Sequence, residues 1–343
     1  MHLAIIQTWG LGDLVMTTPV IAEYRRLYPD SRLTIIVQGR AQAALLDGSP
    51  MVDQIIEMPP RENWPAYLRF FFALRRQRID VAFLGTRIDP SWLLWSLKVL
   101  AGIPILIGDG EKSPHLYSIR GRIDPSIHRV DRMLETFALW SGQTPTVASF
   151  PLPRAKGLQE ARSRLAEAGL GPGRFVVIHP GSSVTAGTDK RIPVDVARRI
   201  AQSVLERRPD LSVAFIFGPD EVDYIPSFAD LDNRQVILHG LSLSVTVALI
   251  SEGTGFIGSD SGLGHVAAAF GIPTITVVGP TIASETAPYG DKAKVVRRNE
   301  PLACQPCWGT PLYGHCPYEV RCMNELPEAD IVEMTATWGT RDR

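Results

Sequence analysis

Residues 258–265 read Gly-Ser-Asp-Ser-Gly-Leu-Gly-His, a grouping of types whose spacing suits chemistry. The apolar run Gly255-Phe256-Ile257 leads in, and the small-residue run Val266-Ala267-Ala268-Ala269-Phe270 leads out. The stretch is therefore expected to turn from a strand into a helix. Gly262 and Gly264 lack a Cβ, which lets the backbone approach a ligand and take positive φ. The helix behind them offers unpaired N–H groups and a partial positive charge. A phosphate or pyrophosphate fits such a place, and the expected occupant is the diphosphate of a nucleotide-sugar. Asp260, at the strand end, is placed to hold a neighbouring polar group.

Three other loops carry comparable residues. Gln7-Thr8-Trp9-Gly10-Leu11-Gly12-Asp13 precedes Leu14-Val15-Met16-Thr17-Thr18-Pro19 and puts Asp13 at a helix N-terminus. There Asp13 is either a cap or a general base on an incoming hydroxyl, although the helix dipole favours its ionised form and weakens the base. His179-Pro180-Gly181-Ser182-Ser183 runs on to Asp189-Lys190-Arg191-Ile192-Pro193. Lys190 either solvates a surface turn or neutralises a departing pyrophosphate. In Gly218-Pro219-Asp220-Glu221, Glu221 is a first-turn helix acid or an acceptor for ribose or base hydroxyls.

All four cysteines (Cys304, Cys307, Cys316 and Cys322) fall in one short segment with His315 alongside. The spacing C-x2-C-x8-C-x5-C favours a closed tetrahedral site for structural zinc or iron. Reduced thiols and one or two disulfides are the alternatives. Residues 112–132 carry Lys112, His115, Arg120, Arg122, His128, Arg129 and Arg132 against Asp124 and Asp131. This is either a solvated loop or a patch for an anionic acceptor, with Lys112, Arg120 and Arg122 as its contacts. The run from Tyr67 to Arg76 reads either as a core-facing helix flanked by surface arginines or as an interfacial basic-aromatic helix. Two matches are set aside. Gly253-Thr254-Gly255-Phe256-Ile257-Gly258 has the dinucleotide-fingerprint letters, but before a strand rather than after one. Asp230-Leu231-Asp232 lies at a helix end in a polar stretch.

These loops need elements to hold them. In 343 residues, 45% hydrophobic and 21% charged, there is room for two ordinary domains. A net charge of −1 gives no electrostatic case for nucleic acid. No apolar run approaches the roughly 18–20 residues of a membrane span, and Met1-His2-Leu3-Ala4-Ile5-Ile6 reads as a first strand rather than a signal peptide. A cytoplasmic location with at most peripheral membrane contact is expected.

Strand patterns fall at 2–7, 32–37, 52–57, 80–84 and 104–108, with helices near 13–28, 41–47, 65–77, 89–101 and 127–141. A proline-interrupted stretch at 143–156 reads as a linker. The alternation resumes with strands at 175–179, 211–217, 235–238, 255–259, 273–278 and 293–297, and helices at 193–207, 220–228, 243–252 and 263–270. Leu326 to Thr337 reads as one closing helix. The expectation is α/β, two Rossmann-like domains with parallel sheets facing across a cleft. An acceptor-binding domain would take 1–150, a nucleotide-sugar-binding domain 151–325, and a helix and tail 326–343.

Taken in order, Gly12-Asp13…Thr18-Pro19, His179-Pro180-Gly181, Lys190-Arg191-Ile192-Pro193, Asp260-Ser261-Gly262-Leu263-Gly264-His265 and Gly279-Pro280-Thr281 resemble glycosyltransferase family 9, the ADP-heptose:lipopolysaccharide heptosyltransferases. The resemblance spans residues 3 to about 333. It implies a GT-B fold and metal-independent, inverting transfer from an ADP-sugar, with no cofactor for catalysis. It also implies an anionic glycolipid acceptor and transient contact with the inner-membrane surface. Asp13 would match the family's base, and Lys190 and Glu221 its phosphate and nucleoside contacts. Asp260 and the backbone of Ser261, Gly262, Leu263, Gly264 and His265 would hold sugar and diphosphate. Cys304-Gln305-Pro306-Cys307 matches a segment that many members carry. Ile192 stands where the family often has Trp, and Asp-Ser-Gly-Leu-Gly-His replaces Asp-Thr-Gly-Leu-Ser-His. Both departures bear on the donor sugar.

The alternatives are another nucleotide-sugar, or a protein or other glycan as acceptor, on the same fold. A sugar-nucleotide epimerase or hydrolase would need a second base in the cleft, and the sequence offers no clear one. A non-catalytic binding protein would not need Asp13, Lys190 and Asp260 together.

Overall fold

The computed structural model describes all residues except 61, 86–89, 147–149, 185–186, 229 and 340–343. The chain divides into two compact units, Met1–Pro153 and Arg154–Arg343. No helix among the described residues is long and apolar enough to cross a membrane.

In the first unit the strands are β1 (His2–Gln7), β2 (Arg32–Val37), β3 (Gln54–Glu57), β4 (Val81–Leu84), β5 (Ile105–Gly108) and β6 (Ile119–Arg120). Its helices are α1 (Leu11–Leu27), α2 (Arg40–Leu46), α3 (Trp64–Arg76), α4 (Ser91–Val99) and α5 (Arg129–Ser141). The sheet is parallel, in the order β3-β2-β1-β4-β5-β6. Leu3, Ala4, Ile5 and Ile6 of β1 are all buried, as expected of a central parallel strand covered on both faces.

In the second unit the strands are β7 (Phe175–His179), β8 (Ser212–Phe217), β9 (Gln235–His239), β10 (Gly255–Ser259), β11 (Thr274–Val277) and β12 (Ala293–Val296). Its helices are α6 (Ala155–Glu167), α7 (Val194–Arg207), α8 (Leu243–Ser251), α9 (Gly262–Ala269), α10 (Ala283–Thr286), α11 (Arg321–Asn324) and α12 (Glu328–Thr335). The parallel order β12-β11-β10-β7-β8-β9 is the same winding once the strands are counted from β7. In each sheet the order reverses beside the first strand, between β1 and β4 and between β7 and β10. Open α/β sheets bind ligands at such switch points.

Several elements differ from the sequence reading. Helix α6 begins within the stretch read as a linker, and residues 147–149 of that stretch lie outside the described residues. Only Gly157, Ala161 and Leu165 are buried on α6, so its apolar stripe is short and made mostly of small residues. Gly157 is there for close approach: a Cβ would lie 2.1 Å from the Ser244 carbonyl oxygen. Pro219–Phe228 is a 3-10 helix rather than an α-helix, with Pro226 inside it. The closing helix is shorter than read, since Pro327 caps it and Thr335 ends it. Position 89, where the fourth helix was read to start, lies outside the described residues; α4 begins at Ser91.

The second unit extends to Trp338, which is buried. Its ring lies under β10, where a Cβ on Gly255 would come within 2.1 Å of it. Arg208 Nη1 donates to the Thr335 and Trp338 carbonyls at 3.1 and 2.5 Å. The glycines of the Gly253–Gly258 match thus serve packing. A Cβ on Gly258 would meet the Phe256 ring at 2.6 Å and the His179 carbonyl at 2.9 Å.

Candidate active site

At the first switch point β1 ends in Gln7, fully buried. Gln7 Nε2 donates to Thr17 Oγ1 at 3.0 Å and to the Gly85 carbonyl at 2.9 Å, with the Asp13 carbonyl at 3.3 Å. Thr17 Oγ1 donates in turn to the Asp13 carbonyl at 2.8 Å. Gly85 follows β4, and a Cβ there would come within 2.8 Å of Thr17 Oγ1. Arg129, buried at the start of α5, donates from Nη2 to the same Gly85 carbonyl at 2.6 Å. Side chains from β1, α1 and α5 therefore converge beneath the first turns of α1, which carry Asp13.

Asp13 is half-buried, and its Oδ2 accepts the Gly10 N–H at 3.1 Å. Asp13 is not the N-cap residue, a position that Gly10 takes; from the third helical position its carboxylate reaches back to the Gly10 N–H and closes the first turn of α1. The Thr18-Pro19 pair has a local reason. Pro19 has no N–H for the Val15 carbonyl, and Thr18 Oγ1 supplies the missing donor at 2.8 Å.

The basic segment divides. Lys112, Arg120 and Arg122 are exposed. Arg120 Nε donates to the Gly110 carbonyl at 3.1 Å, and Arg122 stands 3.3 Å from Asp124. The Ser126 hydroxyl and N–H hold the Asp124 carboxyl below its ordinary value. Arg129 and Arg132 leave the expected patch: both are buried, and Arg132 Nε faces Asp109 Oδ2 at 3.9 Å. Their place at the start of α5, where the helix turns into the core, explains the difference.

The second switch point is assembled from three loops. β10 pairs with β7 up to Gly258 opposite His179, and the Ser259 hydroxyl donates to the Gly181 carbonyl. Glu221 turns inward and is buried. Its Oε2 accepts the Gly218 N–H at 2.5 Å, and its Oε1 lies 4.0 Å from His179 Nε2. Gly181 has to be glycine here, because a Cβ would overlap Glu221 Cδ at 2.4 Å. Burial pushes the His179 imidazole below its ordinary value, only partly opposed by Glu221. The neutral ring can then donate from Nδ1 to the Ile216 carbonyl at 3.0 Å.

Arg191, which the sequence reading quoted without a role, ties these loops together. Nε and Nη2 donate to the Ser182 carbonyl at 3.1 and 2.7 Å, Nη2 also to the Asp220 carbonyl at 3.0 Å, and the guanidinium stacks 5.2 Å from the Tyr224 ring. Lys190 beside it is half-buried and forms no ion pair among the described residues.

Asp260 is buried at the end of β10, and Ser261 is the N-cap residue of α9. Ser261 does not cap: its Oγ is buried and has no hydrogen-bond partner. Leu263 is half-buried and His265 buried in the first turns of the helix. The expected positive φ is not found, since Gly262 and Gly264 are both right-handed helical residues. Gly264 is instead a contact point, where a Cβ would stand 3.3 Å from Pro288 and 3.4 Å from Thr276 Oγ1.

The cysteine segment lies against these loops. Cys307 and Trp308 N–H groups both donate to the Pro280 carbonyl at 3.0 Å, and Gln305 Nε2 donates to that of Gly279 at 2.7 Å. The Gly314 N–H donates to Asp189 Oδ2 at 2.9 Å. Tyr313, which the sequence reading did not single out, packs against Gly187, and its hydroxyl is pushed up to about 12 by burial and by Asp189, Cys307 and Asp260.

All four cysteines are free thiols. Burial and neighbouring cysteines push Cys322 up to about 12. Among the described residues no three His, Cys, Asp or Glu side chains are placed to hold a metal ion. The expected Cys304, Cys307, Cys316 and Cys322 site is therefore not assembled. Cys316 Sγ accepts the Val320 N–H at 3.4 Å, and Cys322 is packed beside Gly279.

Two Rossmann-type units of identical winding make up a fold of the GT-B glycosyltransferase class. The model of glycosyltransferase family 9 (heptosyltransferase) matches residues 68–311, and the chain belongs to that family. It is 34% identical over 344 residues to a lipooligosaccharide heptosyltransferase 2 of Campylobacter jejuni, covering 96% of this chain and 95% of that one. Its fold is similar to a family 9 glycosyl transferase from Veillonella parvula (TM-score 0.80, 17% identity, 98% and 96% of the two chains covered). It is also similar to Escherichia coli heptosyltransferase WaaC, solved with ADP-2-deoxy-2-fluoro heptose (TM-score 0.68, 20% identity, 90% and 96% covered).

Proposed function

We propose that this glycosyltransferase moves heptose from ADP-heptose to an inner-core lipopolysaccharide acceptor, with inversion and without a catalytic metal. The observation that carries the donor half is Ser261, a buried hydroxyl with no partner at an uncapped helix N-terminus beside Asp260. Buried polar groups are nearly always paired, and a diphosphate oxygen would complete this one while taking the first-turn N–H groups of α9. Glu221 and its Gly218–Gly181 surround would receive the nucleoside, and Lys190 would offset charge on the departing ADP.

Asp13 would take the proton from the acceptor hydroxyl as that oxygen attacks the anomeric carbon. The C–O bond to the diphosphate breaks, and ADP leaves with the electron pair. The Gly10 N–H on one Asp13 oxygen fixes the carboxylate at the first turn of its helix. Lys112, Arg120 and Arg122 would face the acceptor's anionic groups. A glycolipid acceptor would place the protein at the cytoplasmic surface of the inner membrane.

Incubation with ADP-heptose and a deacylated inner-core acceptor should give a heptosylated product, with ADP-glucose, GDP-sugars and UDP-sugars far poorer donors. Equal turnover of a UDP-sugar, or donor hydrolysis with no acceptor dependence, would overturn the reading.

A further inference from the structure

Helices α3 and α4 each bury one apolar face and leave a second one bare. On α3, Tyr67, Phe70, Phe71 and Leu74 enter the core. Trp64, Leu68 and Phe72, spaced four apart, are 67%, 38% and 53% exposed. At 3.6 residues per turn they span only about 80° of arc. On α4, Leu93, Leu94 and Leu97 are buried, while Trp92, Trp95 and Val99 are 41%, 49% and 49% exposed.

The two helices are neighbours. The Tyr67 and Trp92 rings meet edge-on at 5.1 Å, and Arg75 Nη1 donates to the Val99 carbonyl at 3.2 Å. Six of the large apolar side chains left exposed among the described residues thus belong to one pair of helices. Contiguous apolar surface of this kind marks an interaction site.

Charge decides between occupants. Neither helix contains an Asp or Glu. Arg69 and Arg76 are exposed, and Arg76 continues the Trp64-Leu68-Phe72 series by four. Lys98 lies three residues after Trp95. The whole chain carries −1, so this face is a local cationic exception. Tryptophans with an apolar body and polar rim, set among Arg and Lys without acids, match the interface of an anionic bilayer. A second copy of the same face would set like charges opposite each other.

We infer that the α3–α4 face is a docking surface for an anionic lipid bilayer, with Phe72 and Trp95 entering the interface and Arg69, Arg76 and Lys98 on the headgroups. It rests on the glycolipid-acceptor reading for its purpose but not for its test. The full chain is sedimented with vesicles of phosphatidylcholine alone and of equimolar phosphatidylcholine and phosphatidylglycerol, without sugar donor. Binding should favour the anionic vesicles and weaken with salt. Phe72→Glu with Trp95→Glu, and separately Arg69→Glu with Arg76→Glu, should each weaken it at least tenfold. Both should keep transfer to a soluble, deacylated acceptor, which also shows that they fold. Absence of vesicle binding by the wild type, or binding unchanged in folded variants, overturns the inference. So does a dimer in sedimentation equilibrium that both variants dissolve without any effect on vesicle binding. Failure of sugar transfer with vesicle binding intact would count against the proposed function alone.

Discussion

The two units wind their sheets identically but treat their switch points in opposite ways. In the first, Gln7, Thr17, Gly85 and Arg129 close a hydrogen-bonded knot beneath Asp13. At the second, Glu221 and Asp260 are buried and the Ser261 hydroxyl has no hydrogen-bond partner. One half fixes Asp13 through the Gly10 N–H; the other leaves the Ser261 hydroxyl unpartnered at a helix N-terminus.

This contrast sets the order of expected effects. Asp13→Asn keeps an acceptor for Gly10 and removes the base, so kcat should fall by about 10²–10⁴ with little change in melting temperature. A large loss of stability with kcat preserved would make Asp13 a cap only. Lys190→Ala should lower kcat/KM by roughly 10²–10³, the usual range for a lost donor to developing charge. A variant at wild-type kcat/KM would show that Lys190 does not meet the diphosphate.

Gly181→Ala forces Glu221 off the Gly218 N–H and should raise donor KM more than it lowers kcat. An unchanged donor KM would detach Glu221 from the nucleoside. Ser261→Ala removes a hydroxyl that the free protein does not use. Stability should hold while donor affinity drops by about tenfold or more, given about 1.5–3 kcal/mol for a hydrogen bond to a charged group. Calorimetry with ADP reads this directly, and equal affinity would mean that the hydroxyl faces no ligand.

The smallest effect concerns one histidine in each unit's first strand, His2 and His179, both held below the ordinary value by burial. The unfolded chain then binds the extra proton. Stability is complete above an unfolded pKa of about 6.5 and falls as pH drops through it toward the folded values. The slope is at most about 1.4 kcal/mol per pH unit for each ring. Melting temperatures at pH 7.5 and 5.5 check this, and His179→Gln should flatten the dependence. An unaltered slope in that variant would remove His179 from the account.

What the sequence reveals follows the strength of its signals. β1, β2, β7 and β10 are read to the residue because each centres on a short run of large apolar residues bounded by a change of pattern. Helix α6 escapes because it starts inside a proline-interrupted stretch that reads as a linker, and the residues it buries, Gly157, Ala161 and Leu165, are mostly small. At the site, Asp13, Glu221 and Asp260 stand out as acids after strands. Gln7, Arg129 and Arg191 do not, because their work is to bond carbonyls from loops distant in sequence. The cysteine spacing does bring the thiols near one another, but spacing does not say where each Sγ points: Cys316 Sγ accepts the Val320 N–H, and no metal-holding group forms among the described residues.

Trp338 has a consequence for handling the protein. Its ring is the floor on which Gly255 rests, and β10 runs from there to Asp260. A truncation ending before Trp338 would open a void under that strand, so lost donor binding in such a variant would report a sagging support rather than a missing ligand contact. Affinity tags belong beyond that tryptophan, never in its place.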